Sequence, residues 1–145
     1  MKKITQKLNH IFDSAFRETF DALSLLILRI MGGGFMLYGH GWDKASNFST
    51  IAPNFPDPLG LGNSTLSLSM AVFGEVVCAG LLLMGALTRL AAVPAMITMA
   101  VAAFIVHAAD PFKQKEMALM YLGIYIVIFF KGAGAYSVDA IAKKL

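Results

Sequence analysis

The chain has 145 residues, of which 57% are hydrophobic and 14% charged, with a formal net charge of +3 and a mean hydropathy of +0.67. A soluble domain has roughly a quarter of its residues charged, so lipid is the expected solvent, and the length leaves room for one domain. Lys and Arg sit at segment ends rather than in one basic patch, which argues against a nucleic-acid partner, and the single cysteine, Cys78, excludes an intramolecular disulfide, a CxxC pair and a CxxCH haem attachment.

The first element is amphipathic. Leu8, Ile11, Phe12, Ala15, Phe16 and Phe20 recur at helical spacing, with Lys7, Asp13, Arg17 and Glu18 elsewhere on the wheel. Residues 1–21 therefore read as an interfacial amphipathic helix. The apolar run begins only near residue 22 and no small-residue cleavage site follows it, so the segment reads as retained rather than as a signal peptide.

About 20 apolar residues cross a hydrocarbon core of roughly 30 Å. Within residues 22–145, the spacing predicts four such spans, at about 22–42, 65–87, 90–108 and 116–131, the last continuing past Lys131 as a small-residue segment. The predicted fold class is thus all-α, an integral membrane four-helix bundle preceded by an interfacial helix. Residues 43–64, with Pro53, Pro56, Pro58, Gly60 and Gly62, form an exposed loop or re-entrant flap. Only Thr88 and Arg89 separate the second and third spans, so these form an antiparallel hairpin.

With four spans, Lys2, Lys3, Lys7, Arg17, Arg89, Lys131, Lys143 and Lys144 share one side, against Lys44, Lys113 and Lys115 on the other. The positive-inside rule then places both termini in the cytoplasm of a multi-pass bacterial inner-membrane protein.

Two charges fall inside predicted spans, Arg29 in the first and Glu75 in the second. An unpaired charge at that depth costs at least ~2.5 kcal/mol on insertion scales. Counted back from outer boundaries at His40 and Thr65, the two lie ~15 Å deep by helix rise. An intramembrane ion pair of Arg29 with Glu75 follows, either a functional site or a pin between helices, with Gly32, Gly33, Gly34 and Gly74 allowing close approach.

Arg29, Gly33, Met36, His40 and Lys44 share one face of the first helix. At its outer end His40, Asp43, Lys44, His107, Asp110 and Glu116 would gather at one mouth. His40 and His107 are the candidate ligands for a metal or haem, or proton donors to a reduced carrier; helix-end polarity alone also explains them, and no motif marks a metal site. Tyr38, Trp42, Tyr121, Tyr125 and Tyr136 read mostly as an aromatic belt, and the methionines of the spans as packing or lipid-facing residues.

In order and spacing these residues resemble the DoxX family of small bacterial four-helix membrane proteins. The matching features are Arg29, the H-G-x-x-K of His40, Gly41 and Lys44 preceded by Gly39, Glu75, the LLMGALTR run from Leu82 to Arg89, Glu116, and the GAGAYSVD tail with Gly132, Gly134, Ser137 and Asp139. The resemblance covers about residues 25–140. It implies a membrane subunit of a quinone-linked oxidoreductase, not a self-sufficient enzyme, with quinone as the candidate cofactor and a partner redox protein or a homo-oligomer as the assembly. The competing readings are a non-enzymatic membrane scaffold or chaperone that docks a partner through the 43–64 loop, and a small-solute transporter, which four helices would support only as an oligomer.

Overall fold

The computed structural model describes residues 2–144, with side chains from Phe16 onward. The side-chain pattern expected of residues 1–21 therefore lies, up to residue 15, outside the described residues. The described chain is helical with no strand, as its apolar periodicity predicts.

The first helix, α1, is α-helical over Lys2–Arg29, π-helical over Ile30–Phe35 and Leu37–Gly41, and α-helical again over Trp42–Ser46. After it come a short helix α2 (Phe48–Ile51), a 3-10 turn (Ala52–Asn54) and the Pro/Gly loop. Helix α3 spans Ser64–Met84, with a π-helical stretch at Phe73–Cys78, and α4 spans Thr88–Val106, ending in π-helix at Ala102–Val106. Helix α5 is Phe112–Lys131 and a final turn, α6, is Val138–Ala142.

Among the described residues three helices are long and apolar enough to cross a membrane: Phe16–Ser46, α3 and α4. Helix α5 is as long as a span, but Lys113, Lys115 and Glu116 crowd its first turns. It packs along α4 and also touches α1. The core between the four helices is built from small residues, Ala79, Ala91, Ala92, Ala95 and Ala103, filled by Met36, Leu82, Tyr121, Tyr125 and Ile128. Large apolar side chains such as Phe35, Phe73, Phe104 and Phe130 point outward, the inversion expected where lipid, not water, is outside.

Glycine sets how α1 meets α3. A Cβ on Gly33 would lie 2.6 Å from the Ala79 carbonyl oxygen, and one on Gly41 2.5 Å from that of Glu75. The two backbones are thus in contact at two points. Gly74 faces α4 instead, against Thr98.

That register differs from the expected one. Gly41, not Arg29, is level with Glu75, a displacement of 12 residues along α1, or roughly 18 Å at helical rise. The physical reason is the outer end of α1. The polar pair Asp43 and Lys44 reads as the start of a loop, yet the helix continues to Ser46, and α2 and the 3-10 turn carry the chain on until it packs against the start of α3.

Candidate functional site

Arg29 and Glu75 do not pair; each has other partners. Arg29, 2% exposed, fans its guanidinium over four backbone carbonyls: Nε donates to Leu82 (3.0 Å), Nη2 to Leu83 (2.8 Å), and Nη1 to Ala133 (2.9 Å) and Tyr136 (2.6 Å). Leu82 and Leu83 close α3, where helix carbonyls lack intrahelical donors and the helix dipole is negative. The turn beyond is a Schellman motif, with Gly85 (φ +67°) donating to Leu82 and Ala86 to Leu81. Gly85 is required twice over, since a Cβ there would also lie 2.6 Å from the Arg29 guanidinium carbon.

The GAGAYSVD tail completes this inner end. The Asp139 carboxylate accepts the N–H groups of Leu87 (2.8 Å) and Thr88 (2.9 Å), capping α4 from 51 residues away, while the Asp139 N–H donates to the Gly85 carbonyl. Partial burial pushes the Asp139 carboxyl up, but the N–H donors of Thr88 and Leu87 and the charge of Lys143 outweigh it, and the net displacement is below the ordinary carboxylate value. Arg29 and Asp139 together clamp the hairpin of α3 and α4 to α1 and to the tail.

The partner of Glu75 is Lys44, at 2.6 Å between Nζ and Oε2, with 25% of the lysine and 8% of the glutamate side chain exposed. The same ammonium reaches the His40 carbonyl at 3.5 Å. Three of the helices meeting here are locally π-helical, at residues 37–41, 73–78 and 102–106. Such turns have i to i+5 bonds, as from the His107 N–H to the Ala102 carbonyl (2.9 Å), and cluster at functional sites. They also break the uniform spacing behind the predicted polar stripe on α1, so that Gly41 takes the contact with Glu75.

Two cavities adjoin the ion pair and share Lys44, Glu75, Ala102 and His107 on their walls. The larger, about 280 Å³, is apolar on most sides, with Met70, Ile97, Val101 and Val106 from the helices and Phe55, Pro56, Pro58 and Leu59 from the loop; Ser67 and Thr98 add hydroxyls. The smaller, about 170 Å³, is bounded by Met36, His40, Gln114 and Tyr121.

The loop, exposed over residues 59–63, thus also roofs the larger cavity through Phe55, Pro56, Pro58 and Leu59. Asp57 shapes it, accepting from the Ser67 hydroxyl (2.7 Å) and from the N–H groups of Leu61 and Gly62. The Ser67 hydrogen bond above all holds the Asp57 carboxyl below its usual value. Asn63 caps α3 by accepting from the Leu66 N–H at 3.0 Å.

Of the six residues expected at the outer mouth, three line these cavities: His40, Lys44 and His107. Asp110 is attached to them through His107, at 2.7 Å from Nδ1. Asp43 is exposed and accepts from Asn47, and Glu116 is exposed and lines neither cavity. The two histidines border the same small cavity, His40 edge-on to Tyr121 at 5.7 Å. Among the described residues no group of three or more His, Cys, Asp or Glu is placed to hold a metal ion.

The tyrosines divide. Tyr38, Trp42 and Tyr136 are exposed, whereas Tyr121 and Tyr125 are buried and stacked, and the Tyr125 hydroxyl donates to the Gly32 carbonyl at 2.8 Å. These two are core residues, not belt.

The DoxX family profile matches residues 24–108, more than half of the chain. The chain belongs to the DoxX family. An uncharacterized protein of Haemophilus influenzae is 30% identical over 129 residues, 85% of either chain. No solved structure matches. The matched residues of this DoxX protein contain Arg29, Lys44, Glu75 and His107, and so both cavities' shared wall. Helix α5 and the tail that receives Arg29 lie beyond the match.

Proposed function

We propose that this DoxX protein is a quinone-binding membrane subunit that works with a partner oxidoreductase, its four long helices crossing the bacterial inner membrane with both termini cytoplasmic. The observation that carries this reading is the ion pair of Lys44 with Glu75, set in one wall of a mostly apolar cavity beneath the 55–59 roof.

Small-molecule sites are mostly apolar pockets with a few convergent polar groups, commonly ~300 to 1,000 Å³. At about 280 Å³ the cavity suits one ring, with a prenyl tail leaving between helices. A bound quinone would supply two-electron, two-proton chemistry, its electrons coming from the partner. This chain's residues bind and move protons. The Lys44 ammonium has three protons, one engaged by Glu75, leaving a donor for a carbonyl oxygen. Glu75, bordering both cavities, accepts or returns a proton, and the imidazole of His107 with Asp110 connects it to the outer mouth. Arg29, bonded to backbone at the inner end, belongs to the frame of the bundle and not to the cavity floor. The reading of both termini as cytoplasmic gains from Lys44 being paired within the bundle, since Lys113 and Lys115 then stand alone against the opposite group.

Gentle purification in native lipid, followed by solvent extraction and chromatography of quinones, tests the reading. Near-stoichiometric quinone in the wild type and a loss of at least about tenfold in Lys44→Met, the order expected for a charge-assisted hydrogen bond, support it. Equal quinone in both, at the level of the surrounding lipid, overturns it.

A further inference from the structure

A groove of about 670 Å³ lies at the opposite end of the molecule from the two cavities, between the start of α4 and the tail. We propose that it binds the headgroup of an anionic phospholipid. The site is independent of the quinone reading.

Three cations line it, Arg89, Lys131 and Lys143. Arg89 is laid along the groove, its Nη2 donating to the Phe130 carbonyl at 3.3 Å and its guanidinium within 3.9 Å of a Cβ built on Gly132. The Lys131 ammonium has no hydrogen bond or ion pair among the described residues. The one carboxylate among the described residues of the lining, Asp139, is already committed to the N–H groups of Leu87 and Thr88. The groove therefore keeps a net positive charge with an unmet demand for acceptor oxygens. A phosphodiester meets it.

Its position decides between a lipid and a soluble anion. The groove opens where α3 ends at Met84 and α4 begins at Thr88, at the boundary of two candidate spans. Large apolar side chains line it, with Leu87 60% and Leu90 69% exposed. Cations beside outward-facing leucines match a phosphate joined to acyl chains, and basic pockets at helix ends are recurrent headgroup sites. A free phosphate would leave the apolar lining unused.

The test is native mass spectrometry of the full chain released from nanodiscs containing equal amounts of phosphatidylglycerol and phosphatidylcholine. The expected result is retention of phosphatidylglycerol over phosphatidylcholine by roughly tenfold or more, abolished in Arg89→Gln/Lys131→Gln/Lys143→Gln and reduced in Lys131→Gln/Lys143→Gln, which leaves Arg89 on the Phe130 carbonyl. Lys113→Gln/Lys115→Gln, at the other end of the molecule, retains the wild-type preference. Absence of a preference in the wild type, an unchanged preference in the triple variant, or an equal loss in the Lys113/Lys115 variant, which would reflect overall charge, overturns the proposal. So does abolition of the preference by millimolar inorganic phosphate, which would assign the groove to the free ion.

Discussion

The Lys44 ammonium lies 2.6 Å from the Glu75 carboxylate, joining the outer end of α1 to the middle of α3. Removing one partner of a buried pair strands the other and costs roughly 3 to 5 kcal/mol, toward the lower figure here because a quarter of the Lys44 side chain is exposed. Lys44→Met and Glu75→Leu should each destabilise the protein, and the double variant should be more stable than the sum of the two losses predicts. Denaturant unfolding in detergent micelles checks this. Strict additivity would show that the two side chains are not coupled.

Arg29 answers to a different set of groups. Arg29→Leu removes a donor from four carbonyls, of which Leu82 keeps the Gly85 N–H, and at ~1 to 3 kcal/mol for an unsatisfied buried acceptor the loss should be several kcal/mol. Arg29→Lys should recover little of it, because an ammonium cannot reproduce the planar fork. Adding Glu75→Leu should recover none. Unfolding of the three variants in one detergent separates this account from a pairing of Arg29 with Glu75, which would give rescue by the double change.

The two glycines at the α1 to α3 contact give a steric test. Gly41→Ala places a methyl 2.5 Å from the Glu75 carbonyl oxygen and should push the helices apart, costing roughly 1 to 3 kcal/mol and weakening the ion pair of Glu75 with Lys44. Gly80→Ala is the control. Nothing lies within 4 Å of its Cβ, and exchange of Gly for Ala inside a helix favours folding by up to about 1 kcal/mol. Thermal midpoints should therefore move in opposite directions.

The cap by Asp139 gives a pH dependence. Its folded-state pKa is lowered, so the cap contributes stability above the unfolded carboxyl value, ~3.9, and loses it as pH falls through the lower folded value. The wild type should lose part of its stability below about pH 4, and Asp139→Asn should be less stable at neutral pH but flatter on acidification. Parallel unfolding curves between pH 6 and pH 3 for the two proteins would contradict this role.

The helices were legible in the sequence because lipid demands long apolar runs, and the hairpin of α3 and α4 followed from its two-residue hinge. Register was not. Counting depth back from His40 places the end of α1 just before Asp43, since adjacent charges read as loop, whereas Lys44 is drawn into the bundle by Glu75 and the helix continues past it. Lys44 already lay on the polar stripe with Arg29 and His40, so a choice of partner for Glu75 was visible there. The role of the GAGAYSVD tail depends on contacts more than 100 residues apart in sequence, from Arg29 to Ala133 and Tyr136, which no local pattern carries. The loop gave one usable signal, the apolar Phe55 and Leu59 among its prolines, which line the larger cavity. Tyr125 lies well inside the predicted span and so fits a belt poorly, but the partner of its hydroxyl, the carbonyl of Gly32, is 93 residues away and no local pattern shows it.

The proposed quinone ring would sit beside Lys44 and Glu75, under the 55–59 roof. Photolabelling with a short-chain azidoquinone in native membranes, followed by peptide mapping, tests it most directly. Label should concentrate in residues 55–59 and 97–107, be displaced by unlabelled quinone, and fall at least about tenfold in Lys44→Met. Label scattered over lipid-facing residues such as Phe35 and Phe104, and undiminished by competitor or by Lys44→Met, would contradict the claim.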